Sequence, residues 1–134
     1  MKTRNLALLV LLLAAGCTPP PVSELRATVE ALLARFARSE AQLLLAKGIE
    51  RYEAGEYAEA AASLQAALAY GLPVRERVSA HKHLAFIYCA AELEPACESE
   101  FRNALRADPA MDLDAAEAGH PSWGPVFQHL KAER

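Results

Sequence analysis

With 134 residues, 53% of them apolar, the chain suits one domain with a packed core. Its 17 acidic residues outnumber 14 basic ones, and the absence of a basic stripe excludes a nucleic-acid-binding surface. Alanine and leucine dominate and β-branched residues are sparse, which favours helix over strand.

The N-terminus reads as an export signal. Met1–Asn5 carries Lys2 and Arg4, Leu6–Ala15 is an unbroken apolar run, and Ala14-Ala15-Gly16 are the small residues a signal peptidase accepts. The run is short for a permanent membrane span. The next residue is Cys17, and Leu-Ala-Ala-Gly-Cys resembles the bacterial lipobox, with Leu13 one place further from the cysteine than the usual motif has it. The chain thus divides into a lipoprotein signal over 1–16, a lipid-anchored tether over 17–22, and a helical domain over 23–134. The resemblance implies a diacylglycerol on the Cys17 sulfur and an acyl chain (palmitate or similar) on the new amino terminus. At ~0.8 kcal/mol per buried methylene, such chains hold a protein to the membrane durably. Thr18 is not the aspartate of an inner-membrane retention signal, so the outer membrane, facing the periplasm, is the expected address. The Pro-rich tether Thr18–Val22 reaches only ~16 Å when extended. Removing Lys2 and Arg4 leaves 12 basic and 17 acidic residues, a net of −5.

From Ser23 the spacing is helical. Ser23 suits a cap for a helix whose apolar positions Leu25, Val29, Leu32, Leu33 and Phe36 recur every three or four residues. This leading helix is expected to cover the open end of the repeats beyond it, bent or broken near Arg38-Ser39-Glu40 before the next apolar stretch from Leu43. A coiled coil is the alternative, with about two heptads to support it.

Gly48, Gly55, Tyr57, Ala60, Leu64 and Ala67 then stand at the spacings of the tetratricopeptide motif. A second copy shows Leu84, Ala85, Tyr88, Phe101, Ala104 and Pro109, matching positions lying 37 residues apart. Small residues at Gly48, Ala60 and Ala67 allow close approach of antiparallel helices, and Leu44 and Leu64 fill the gaps between hairpins. Gly55 and Gly71 suit helix ends, Pro95 a first turn, and Asp108-Pro109 a stop. Arg51 replaces the expected aromatic, with Tyr52 beside it. Two repeats need caps at both ends. At the C-terminal end, Asp114-Ala-Ala-Glu117 reads as a capping box, and a last helix carries Val126, Phe127 and Leu130. The fold class is therefore all-α: two tetratricopeptide-like hairpins with a leading helix and a C-terminal capping helix. Trp123 and Phe127 either plug the repeat core or present an aromatic anchor to a partner. The plug is the expectation.

Cys89 and Cys97 are the thiols left once Cys17 carries lipid. They flank the reversal of the second hairpin, where antiparallel helices reach the ~5.5–6 Å Cα separation of a disulfide. Two buried free thiols fit the packing equally well, but only the bridge fits an oxidising compartment.

His81-Lys-His-Leu-Ala-Phe-Ile-Tyr-Cys89, Phe101-Arg-Asn-Ala-Leu105 and the tail Ala116–Phe127, with its motif His120, Pro121, Trp123, Gly124 and Pro125, resemble the type VI secretion-associated tetratricopeptide lipoproteins (the TssQ-like family). The similarity runs from about Leu44 onward. It implies an accessory of a contractile secretion machine in the Gram-negative envelope. An adaptor for peptidoglycan enzymes or a pilotin of another secretion system would use the same architecture.

Chemical constellations are weak. His81 and His83, two apart on a helix, point in different directions, and His120 and His129 lack a ligand pattern. No nucleophile–base pair, phosphate loop or paired carboxylates stand out, and Glu50, Glu53, Glu56 and Glu59 read as a solvated face. No catalytic role, metal, cofactor, nucleic acid or small-molecule substrate is expected. The expected partners are the membrane, through the lipid, and proteins. The first helices of the hairpins would expose Leu45, Ile49, Tyr52, Lys82 and Phe86 as a protein-binding groove.

Overall fold

A computed structural model of the chain describes residues 22–133. The signal, Cys17 and all of the tether except Val22 lie outside the described residues. Among those described there are six helices and no strand: α1 Val22–Glu53, α2 Tyr57–Tyr70, α3 Val74–Ala90, α4 Glu94–Ala107, α5 Ala115–Ala118 and α6 Gly124–Ala132. None is long and apolar enough to cross a membrane. The chain divides into two compact units, one ending at Leu33 and the other beginning at Ala34.

In the first unit the described residues are all helical and all exposed. Val22, assigned by sequence to the tether, is already helical, and Ser23 lies inside α1 instead of capping it. Arg26 Nε donates to Glu30 Oε1 at 3.0 Å, one turn along the surface. Leu25, Val29, Leu32 and Leu33 are exposed among the described residues, each between 47% and 62%. Phe36, in the second unit, is also exposed. The amphipathic spacing was correct, but it identifies a face that wants a partner without naming the partner. The break expected near Arg38–Glu40 is absent, since α1 has neither proline nor an interior glycine before Gly48 to cause one.

In the second unit, the closing part of α1 and α2 form a hairpin around Ala41, Leu45, Ala60, Leu64 and Ala67. Gly48 sits within the helix, where it costs about 1 kcal/mol relative to alanine. A Cβ there would stand 2.7 Å from Leu64 Cγ, so glycine is what admits Leu64. The turn out of α1 is built by two backbone bonds: Glu56 N–H donates to Arg51 O at 2.8 Å and Gly55 N–H to Tyr52 O at 3.0 Å. This pairing requires a left-handed residue, and Gly55 supplies it at φ +80°. The turn out of α3 is the same: Leu93 N–H donates to Tyr88 O at 2.9 Å and Glu92 N–H to Cys89 O at 3.1 Å. Here the left-handed residue is Glu92, at φ 58°.

α3 and α4 form the second hairpin, with Pro95 in the first turn of α4. A disulfide joins Cys89 and Cys97 across its reversal, with 5.1 Å between their Cα atoms. Phe101, 0% exposed, is at the centre of the core, edge-on to Phe86 at 6.0 Å and tilted against Phe127 at 5.2 Å. α5 opens with a complete capping box: Glu117 N–H donates to Asp114 at 2.8 Å and Asp114 N–H to Glu117 at 3.1 Å. At Gly124 a Cβ would lie 2.3 Å from Ala118 O, so only glycine lets α6 start against the end of α5. Phe127 and Leu130 of α6 then enter the core beside Phe101, Met111 and Leu113.

Candidate functional site

The densest side-chain chemistry of the second unit lies where the end of α1, the middle of α3 and the C-terminal segment meet. Tyr52, next to last in α1, places its ring 5.7 Å from Tyr57, 5.2 Å from His83 and 6.4 Å from Phe86. His83 and Phe86 share a face of α3 because they are three apart. Phe86 stacks on Trp123 at 4.4 Å and 27°, and Trp123 stacks in turn on His120. The Trp123 indole N–H donates to Glu117 O at 2.9 Å. Lys82 Nζ donates to Glu117 Oε1 at 2.5 Å and stands 5.7 Å from the Phe86 ring centroid.

This arrangement corrects the expected groove. Leu45 and Phe86 are buried, the first in the α1–α2 core and the second beneath Trp123. Lys82 is held by Glu117, while Ile49 and Tyr52 stay half-buried. A first-helix face is free only if nothing folds back onto it, and here the tail does. Trp123 and Phe127 therefore act as a plug: Trp123 lies over Phe86, and Phe127 is 0% exposed. Pro121 is exposed and Pro125 lies in the first turn of α6, so the rest of the motif shapes the backbone that delivers Trp123. Glu117 was legible only as a capping residue, because its second use, on Lys82 35 residues away, leaves no local signal.

The histidines diverge. His81 Nδ1–H donates to Glu100 Oε2 at 2.6 Å, tying α3 to α4. His83 Nδ1–H donates to Ser79 O at 2.7 Å on the opposite side, beside Tyr52. His120 Nδ1 accepts from Ser122 N–H at 3.2 Å, and His129 is near Glu133 at 3.4 Å. Among the described residues no group of three His, Cys, Asp or Glu side chains could hold a metal ion. Comparison of the chain with protein-family models, curated proteins and solved structures gives no match. The site's own chemistry must therefore carry the functional reading. A depression of about 460 Å³ between α4 and α6 is lined by Arg102, Leu105, Arg106, Pro109 and Leu130. Its guanidiniums are engaged, Arg102 by Glu133 at 3.1 Å and Arg106 by Asn103.

Burial holds the His83 imidazole below its ordinary pKa, more strongly than the bond to Ser79 O raises it. The fold therefore prefers neutral His83. That contribution is fully present above the unfolded value near 6.5, and it is lost as pH falls from there through the lower folded value. The melting temperature is expected to decline as pH falls below about 6.5, and His83→Gln should flatten that slope. An unchanged slope in His83→Gln would assign the acid sensitivity to other groups.

Proposed function

We propose that this chain is a lipid-anchored envelope protein whose two tetratricopeptide-like hairpins serve as a protein-binding scaffold, attached to the outer membrane through Cys17 and working as an accessory of a type VI secretion apparatus. The observation that carries the scaffold reading is the repeated turn. Gly55 and Glu92, 37 residues apart, occupy the same left-handed position in the same two-bond helix ending. That interval is the one separating Gly48 from Ala85 and Leu64 from Phe101. A repeat of conformation at the repeat of sequence favours tandem hairpins, whose usual work is binding. The Cys89–Cys97 pairing is in keeping with an oxidising compartment. Tyr57, beside Tyr52 at the edge of the ring cluster, stays 47% exposed and open to a partner. The secretion-machine assignment rests on the resemblance of the α3, α4 and tail motifs.

The anchor and the assignment are tested together. Cys17→Ser is expected to move the chain from the membrane fraction to the soluble periplasm, or to leave it uncleaved. Mass spectrometry of the unsubstituted N-terminus should find acyl chains on Cys17. Capture from crosslinked envelopes should enrich components of the contractile machine, and deletion of that machine should abolish the enrichment. An unmodified, soluble mature chain would remove the anchor; enrichment of peptidoglycan enzymes instead would reassign the scaffold.

A further inference from the structure

The face of α1 left exposed among the described residues has a regular period. Val22, Leu25, Val29, Leu32, Phe36 and Leu43 follow one another at alternating intervals of three and four, with Ser39 at the one polar place in the series. Written as heptads, Val22, Val29, Phe36 and Leu43 are a positions, and Leu25, Leu32 and Ser39 are d positions. All belong to one helix, and the six apolar members are between 47% and 82% exposed. Because α1 is unbroken, the register runs a full three heptads, the length at which such a seam specifies a coiled coil.

We infer that this face pairs with the same face of a second copy of the chain, as a parallel, in-register two-stranded coiled coil over residues 22–43. The charges select that occupant. Arg35 falls at a g position and Glu40 at the e position of the following heptad. Both are exposed, and neither pairs with another described residue. In a parallel in-register dimer each Arg35 meets the other copy's Glu40, and two-fold symmetry makes the contact twice. An antiparallel pairing matches e with e and g with g and loses this complement. A membrane surface fits less well. Residues 22–43 hold three arginines (Arg26, Arg35, Arg38) and three glutamates (Glu24, Glu30, Glu40), whereas helices lying on lipid carry a basic polar face.

Single cysteines in the full chain, expressed in the envelope and oxidised there, test the pairing. Cys89 and Cys97 already hold each other, so an added thiol has only its counterpart to meet. The unsubstituted chain serves as baseline, so that a free Cys17 would show there and not be mistaken for contact. Leu25→Cys, Leu32→Cys and Leu43→Cys should each give a disulfide-linked species of doubled mass, roughly tenfold above Ala27→Cys at an f position. Crosslinking at only one of the three would indicate an antiparallel pair and overturn the arrangement. A crosslink to a chain of another mass would assign the face to a different protein. A monomer whose Leu32→Cys thiol is shielded from a maleimide only when phospholipid is present would assign it to the lipid. Val29→Glu with Leu32→Glu should abolish the doubled-mass species while leaving the thermal transition of the second unit in place.

Discussion

Phe101→Ala is expected to lower the stability of the second unit by about 3 to 5 kcal/mol. The side chain is 0% exposed and touches Phe86 on one side and Phe127 on the other, so its removal leaves a cavity between two hairpin helices and the C-terminal cap. For a unit of this size the melting temperature should fall by on the order of 15 °C. Phe101→Leu should recover more than half of that loss, because it refills most of the volume. Calorimetric melting of the three proteins decides the matter. A loss under about 1 kcal/mol for Phe101→Ala would mean that the core is not organised around this ring.

Opening the Cys89–Cys97 bond is expected to have the next largest effect. The two residues are eight apart, and closing a loop that short removes about 2.5 kcal/mol of chain entropy from the unfolded state. With a urea slope of about 1 to 1.5 kcal/mol/M, reduction should shift the unfolding midpoint by about 2 M. Cys97 is fully buried and Cys89 nearly so, so reduction should be slow in the folded protein and fast in denaturant. Thiol counting in denaturant, on protein purified without reductant, should find neither sulfur free. Two free thiols would contradict the pairing outright.

How much of the fold was legible in the sequence depends on how local each determinant is. Pro95 in a first turn, Gly55 at a left-handed helix end and the Asp114–Glu117 box are settled by residues within a few positions of one another, and each is where its chemistry places it. Gly48 against Leu64 was readable because a repeat pattern marks both partners. Glu92 was not readable. Its left-handed conformation is disfavoured for a side chain with a Cβ, so sequence rules search for glycine or asparagine there. The ring cluster was half visible: Tyr52, Lys82 and Phe86 were on the expected helices, but their covering by Trp123 and Glu117 depends on where the tail docks. Leu25, Val29 and Leu32 show the limit of periodicity, which says that a face is apolar and leaves its partner open.

The way these contacts lie along the chain also governs how the fold is made. Tyr52 meets His83 and Phe86, Phe86 meets Trp123, and Lys82 meets Glu117, so each of these tertiary contacts joins residues fewer than 40 positions apart. Most of the remaining contacts lie within single helices or between neighbours in a hairpin, and helical folds dominated by such local contacts fold in microseconds to milliseconds, far faster than a chain of this length is synthesised. As the chain emerges N-terminus first, the α1–α2 hairpin can close before α3 is out, and the α3–α4 hairpin before Trp123 arrives to cover Phe86. The order of packing then matches the order of residues, and little apolar surface waits exposed for a distant partner.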